Sequence, residues 1–201
     1  MPECKDHSVK NNSDTKVSAQ TDIEIHELIT RVERKAADVM EKLRKLSLTI
    51  ALAESCTSGL VSSFLANTSG ASDILWGSFV CYTQEAKVLM LGLDNEELSV
   101  NGLVSSETAC SMALSALQKS SASLAVAVTG LAGQESDGKV PGGTIWIVIA
   151  CCSAAWQTVD HNGVMDVKIQ VKKFHFTDSR NVNRLHAVEA VFDMLLEELL
   201  K

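Results

Sequence analysis

With 201 residues, 46% of them hydrophobic and 21% charged, the chain is long enough for one domain with a sizeable core. Aromatic residues make up only 4%, so that core has to be built from Leu, Val, Ile and Ala. A net charge of −7 and a pI near 5.2 exclude a broad nucleic-acid surface, and no apolar run approaches the ~20 residues that span a bilayer.

Residues 1–20 are polar, with Asn11-Asn-Ser-Asp-Thr15 at their centre, and read as a disordered tail ahead of a single domain at 21–201. The N-terminus has no apolar stretch of the signal-peptide kind, so the expected location is cytoplasmic by default. Thr21-Asp-Ile-Glu24 has the form of a capping box opening a long helix. Leu28, Val32, Val39, Met40 and Leu43 give that helix an apolar stripe, while Arg31, Glu33, Arg34, Lys35, Glu41, Lys42 and Arg44 form a solvated face.

The run from Leu48 to Glu54 is rich in strand formers and stops abruptly. It passes through Ser55, Cys56, Thr57, Ser58 and Gly59, then turns helical with Leu60, Val61, Phe64 and Leu65. A strand that turns straight into a helix leaves the first N–H groups of the helix free and aims its positive dipole end into the turn. Anions, oxyanions and nucleophilic hydroxyls are commonly held at such a place; a Ser or Thr N-cap is the plainer reading.

Gly77 to Tyr82 predicts a short buried strand, Gln84 to Leu91 a helix closed by Gly92, and Asp94 to Leu98 a further short helix. Ser105 or Ser106 caps another helix that carries Ala109, Met112, Ala113, Leu114 and Leu117. Leu124–Val128 and Thr144–Ala150 are continuous apolar runs, as in strands covered on both faces, and can pair across the Gly-rich loop between them. Val167 to Val171 alternates strictly, which predicts a half-exposed strand reaching toward Phe176. The last helix follows Asp178 or Ser179 and buries Val182, Leu185, Phe192, Leu195, Leu196 and Leu199. Alternating helices and strands without a repeat predict an α/β fold with helices on both faces of a central sheet.

The six cysteines form no CxxC pair, and Cys151 and Cys152, adjacent in a strand pattern, point to opposite faces. They read as reduced thiols of an intracellular protein. His7, His26, His161, His175 and His186 are scattered with no partner at ligand spacing, so neither a metal nor another cofactor is expected.

Four stretches, "AESCTSG", "FVCYTQEAKVLMLG", "AVAVTGLAG" and "GGTIW", together resemble the C-terminal domain of the competence/damage-inducible CinA proteins, over roughly Ile29 to Leu199. That family includes the stand-alone PncC-type nicotinamide mononucleotide (NMN) deamidases. The resemblance implies a three-layer αβα sandwich with a mixed central sheet, self-association into a homo-oligomer, and hydrolysis of the NMN carboxamide to nicotinic acid mononucleotide and ammonia in pyridine-nucleotide salvage. No nucleic-acid or membrane partner is expected. Ser55 matches the family's serine nucleophile and Lys87 its lysine. A Ser–Lys pair works only with a neutral amine, so the usual lysine pKa near 10.4 must fall by several units. Tyr82, the only tyrosine, matches an active-site tyrosine that either orients Lys87 or packs on the nicotinamide ring.

Substrate contact is assigned to Thr57, Ser58 and Gly59 beside the nucleophile, and to Thr129, Gly130 and Gly133 at the end of the third strand. Arg180 or Arg184 is the expected partner of the 5′-phosphate. The chain departs from the family in Ser58, where a second glycine is usual and a Cβ is expected to crowd the turn, and in Gln134, where proline is usual. Two other readings fit the same residues: a catalytically silent interaction module, or a Ser/Lys hydrolase of another amide.

Overall fold

The computed structural model describes residues 12–152 and 167–200, with side chains from residue 22 onward. Its core follows from an alternation hidden in the apolar strands. Strand β1 (Ile50–Glu54) buries Ile50 and Leu52 on one face and Ala51 and Ala53 on the other. Strand β3 (Leu124–Gly130) divides Leu124, Val126 and Val128 from Ala125 and Ala127 in the same way. In β4 (Thr144–Cys152), Ile145, Ile147 and Ile149 oppose Val148 and Ala150. The large face packs against α1 (Asn12–Lys45), α2 (Leu60–Ala66) and α6 (Arg180–Glu198). The small face receives α5 (Ser106–Lys119), whose own inner residues are Ala109, Met112, Ala113 and Ala116. Small residues on both sides let that helix lie close to the sheet and still fill the space between them.

Two outer strands complete the sheet, β2 (Leu75–Val80) and β5 (Val167–His175), in the order β2-β1-β3-β4-β5. Strand β1 runs parallel to β2 and β3, and β4 runs antiparallel to β3 and β5. Hence β1, β2, β3 and β5 all end at the edge where β4 begins. The turn after β1, the segment after β2, the β3–β4 loop and the residues before α6 therefore meet beyond the carboxyl ends of the strands, where open α/β sheets hold ligands.

Most expected elements stand. Cys151 and Cys152 enter opposite layers, Asp94 caps the short helix α4 (Asn95–Asn101), and Ser105 caps α5 by accepting from the Thr108 N–H at 3.1 Å. Three expectations are corrected. The first helix begins at Asn12, not Thr21, because extending a packed helix needs no new nucleus even when the added residues are polar. Strand β2 is the sheet edge and half-exposed, with Trp76 and Val80 open to solvent, since composition does not distinguish an edge strand from a central one. The helix expected over Gln84–Leu91 is α3 (Gln84–Ala86) running directly into a π-helical turn, Lys87–Leu91, which Gly92 closes at φ 72°. Residues 1–11 of the expected tail, with Cys4 and His7, and His161 lie outside the described residues. Among the described residues no helix is long and apolar enough to cross a membrane.

Candidate active site

The chain leaves β1 at Glu54 and enters a tight turn. The Ser55 N–H donates to the Val128 carbonyl at 2.9 Å, which fixes the turn to β3, and the Ser58 N–H closes it on the Ser55 carbonyl at 3.0 Å. The N–H groups at the start of α2 are not free as the sequence suggested. The fully buried Glu54 carboxylate takes them: Val61 N–H donates to Oε2 at 3.0 Å and Ser62 N–H to Oε1 at 3.0 Å. The hydroxyls of Ser62 and Ser78 add bonds to Oε1 at 2.9 and 3.1 Å. A carboxylate at the positive end of a helix satisfies its orphan donors and neutralises its dipole, so α2 offers nothing to a substrate anion. Free donors lie one turn earlier. Among the described residues the N–H groups of Cys56 and Thr57 meet no acceptor on another residue; the Cys56 N–H faces only its own sulfur.

Lys87 opens the π-helical turn and points into the protein; it is 1% exposed. Its Nζ lies 3.1 Å from Ser55 Oγ and donates to the Cys81 carbonyl at 2.8 Å. Among the described residues no carboxylate pairs with it, and burial pushes its pKa below the ordinary lysine value. A neutral amine held by the Cys81 carbonyl keeps its lone pair for the Ser55 hydroxyl, so the serine has a base within reach. The neighbouring thiol is no rival nucleophile. Burial pushes the Cys56 pKa up to about 12, against the opposing pull of its own backbone N–H and of the Arg184 guanidinium.

Ser55 and Lys87 form the floor of a cleft of about 720 Å³, also lined by Cys56, Tyr82, Leu103, Thr129, Gly130, residues 131–137 and Arg180. Tyr82 stands at the mouth, half-exposed, and its hydroxyl accepts from Arg180 Nη2 at 2.8 Å. Lys87 is thus oriented by the Cys81 carbonyl and not by Tyr82. The Thr129 hydroxyl is also occupied, donating to the Leu103 carbonyl at 2.7 Å and fastening the segment that forms one wall. Gly130 is required by packing: a Cβ there would sit 2.6 Å from the Thr144 carbonyl oxygen. Gly143, at φ 75°, lets the Phe176 N–H reach its carbonyl at 3.0 Å, which joins the β3–β4 loop to the end of β5.

The sequence-predicted residues therefore separate into two groups. Ser55, Lys87, Tyr82, Thr129, Gly130, Gly133 and Arg180 line the cleft; Thr57, Ser58, Gly59 and Arg184 do not. Ser58 is exposed, so its Cβ crowds nothing. Its φ of 53° instead places a non-glycine residue in the left-handed region. Arg184 Nη2 donates to the Thr57 carbonyl at 2.8 Å. Gln134 bonds the Asp178 carbonyl through Nε2, a link proline cannot make.

Sequence reasoning missed Glu54 and Asn183. Fully buried Asn183 donates to the carbonyls of Ala132 and Asp178, both at 2.9 Å, and accepts from the Asp178 N–H at 3.0 Å, tying both rim segments together. The only signal in the sequence was a carboxylate ending an apolar strand and an amide in the first turn of a helix.

A family model described as the CinA C-terminal domain matches residues 32–199. Over 166 residues the chain is 38% identical to "Putative competence-damage inducible protein" of Streptococcus pyogenes serotype M5 (strain Manfredo), a match covering 83% of this chain and 36% of the relative. The chain thus spans about a third of the length of the curated relatives it matches. Among solved structures it is similar to the competence/damage inducible protein CihA from Agrobacterium tumefaciens, at 32% identity and a TM-score of 0.73, covering 85% of this chain and 96% of that one. A competence or damage-inducible protein from Enterobacter asburiae aligns at 25% identity and a TM-score of 0.73, covering 84% and 98%.

Proposed function

The chain belongs to the CinA C-terminal domain family, and on that premise we propose that it is an amidohydrolase that converts NMN to nicotinic acid mononucleotide and ammonia. The observation that carries this reading is the 3.1 Å approach of Ser55 Oγ to an unpaired, buried Lys87 amine. A buried lysine without a counter-charge lowers stability, and such groups persist where chemistry needs them.

In this mechanism Ser55 Oγ attacks the carboxamide carbon as Lys87 Nζ takes its proton. The developing oxyanion is met by the N–H group of Cys56, which lines the cleft beside Ser55. Collapse breaks the C–N bond, and Lys87 returns the proton to the departing ammonia. Water, deprotonated by the same amine, then attacks the acyl-serine; the acyl–Oγ bond breaks as Lys87 returns the proton to Ser55 Oγ, and the carboxylate is released. A substrate pyridinium above the floor favours the neutral lysine further. Arg180 at the mouth is the cation for the 5′-phosphate; a bound phosphate would take its guanidinium from the Tyr82 hydroxyl.

The test is ammonia release from NMN by the purified protein and by Ser55→Ala, without added metal. Turnover lost in the variant is the expected result. A folded protein that releases no ammonia from NMN would end the proposal, and a Ser55→Ala variant that turns over normally would remove the dyad.

A further inference from the structure

The nucleophile turn is held by a part-buried charge that the mechanism above does not use. Arg184, 127 residues away in sequence, reaches from the first turns of α6 and donates Nη2 to the Thr57 carbonyl at 2.8 Å. Its Nε is buried and meets no acceptor among the described residues.

The Thr57 carbonyl and the Ser58 N–H belong to one peptide unit. That N–H donates to the Ser55 carbonyl at 3.0 Å, and the Ser55 carbonyl shares the next peptide unit with the Cys56 N–H. The guanidinium thus heads a chain of two aligned peptide dipoles that ends on a donor with no acceptor on another residue among those described, in a residue that lines the cleft beside Ser55. Hydrogen bonds in such a chain polarise one another by roughly 10–30% each. In acyl-transfer sites the N–H of the residue after the nucleophile is a recurring oxyanion donor.

We infer that Arg184 is a positioning residue: its charge, relayed through the Thr57–Ser58 and Ser55–Cys56 peptide units, strengthens the Cys56 N–H as the donor to the oxyanion. The same bond steadies a turn that needs support, because Ser58 is held at φ 53° without being glycine. A phosphate role fits Arg184 poorly. It does not line the cleft, and its forward nitrogen is already committed to Thr57. This inference rests on Ser55 being the nucleophile and not on the identity of the amide.

A fluorophosphonate probe tests it independently of NMN. Ser55 Oγ forms the P–O bond, the P–F bond breaks with its electron pair leaving as fluoride, and the hydroxyl proton goes to Lys87. The phosphoryl oxygen takes the place of the oxyanion. Labelling rates at Ser55 are read by mass spectrometry for the wild type, Arg184→Gln and Arg184→Lys, with thermal melts to establish folding. Removing an oxyanion donor outright costs about 10²–10³-fold, so weakening one is expected to slow Arg184→Gln by about tenfold, with Arg184→Lys recovering part of the loss. The same tenfold is expected in kcat on NMN and on its phosphate-free riboside alike, with KM little changed. If Arg184→Gln melts below the assay temperature, Arg184→Met decides by the same rates.

Wild-type labelling by the Gln variant, or a Lys variant no faster than Gln, overturns the inference. So does a loss confined to KM for the phosphorylated substrate, which would make Arg184 a phosphate ligand. A wild type that is labelled but inert toward NMN removes only the substrate proposal, whereas one that is never labelled removes the nucleophile on which both rest.

Discussion

The floor and the rim of the cleft are built on opposite terms. On the floor, Glu54, Ser55 and Lys87 are all less than a tenth exposed, and their side-chain polar atoms are bonded to other protein groups: Glu54 to Val61, Ser62 and Ser78, and Lys87 to Ser55 and the Cys81 carbonyl. On the rim, Tyr82, Gln134 to Asp137 and Arg180 are exposed, and their bonds are local or easily exchanged for bonds to water. The floor fixes geometry and lowers a pKa at the expense of stability; the rim can change without loosening the fold. Chemistry and substrate selection are thereby separated in space, and substitutions on the two should give different signatures.

The sharpest contrast comes from Lys87→Met. Loss of a general base costs typically 10²–10⁴-fold, so turnover of the proposed substrate should fall by about that much or more. The same change should raise Tm at neutral pH. The folded pKa of Lys87 lies below its unfolded value, so between the two the unfolded chain binds more protons and stability rises with pH. The penalty is full below the folded pKa and fades toward 10.5. The Tm advantage of Lys87→Met should accordingly be largest at low pH and shrink as pH rises, while wild-type kcat/KM climbs with pH through the depressed lysine pKa. A variant that loses stability at every pH would show that Lys87 is a structural cation.

Glu54→Gln addresses the floor without touching the reacting atoms. It places an amide donor against the Val61 N–H and removes a charge that accepts four hydrogen bonds. A cost of about 3 kcal/mol is expected, a Tm drop of roughly 6–12 °C for a chain of this size, measured by calorimetry. A drop of less than about 2 °C would mean that the helix α2 cap is not what holds the turn.

On the rim, Arg180→Ala removes an exposed guanidinium that is bonded to the Tyr82 hydroxyl. KM for NMN should rise by about tenfold or more, with kcat nearly unchanged and Tm within about 2 °C, since exposed charges contribute little to stability. A fall in kcat instead would carry Arg180 to the floor side of the comparison.

What the sequence disclosed follows the same division. Ser55, Lys87, Tyr82 and Arg180 were legible because each sits in a short motif whose spacing survives in one dimension. The α/β architecture with helices on both faces of the sheet was foreshadowed by alternating apolar and helical segments, and the opposite faces of Cys151 and Cys152 by the period of a strand. Glu54 and Arg184 were not assigned their roles, because those roles are contacts: Glu54 meets the start of a helix and a hydroxyl on β2, and Arg184 crosses 127 residues to a carbonyl. The π-helical turn escaped for a different reason. One extra residue within Lys87–Leu91 is too short a disturbance to register as a change of period.

The smallest effect should come from Gln134→Pro, which restores the residue usual in the family. Proline at this position gives up the bond from Gln134 Nε2 to the Asp178 carbonyl, worth about 0.5–1.5 kcal/mol. It breaks no backbone hydrogen bond, because the Gln134 N–H has no acceptor among the described residues. It also restricts the unfolded chain, a gain of about 0.4–1 kcal/mol where the native φ suits it. The two nearly cancel, so Tm should move by no more than about 3 °C and kcat by less than about twofold. The rim tolerates this exchange because the β3–β4 loop is also held by the Gly143 N–H on the Gly133 carbonyl at 2.8 Å and by Asn183 on the Ala132 carbonyl. A tenfold change in kcat would mean that the Gln134–Asp178 link positions the floor as well, and the separation between the two regions would fail at that point.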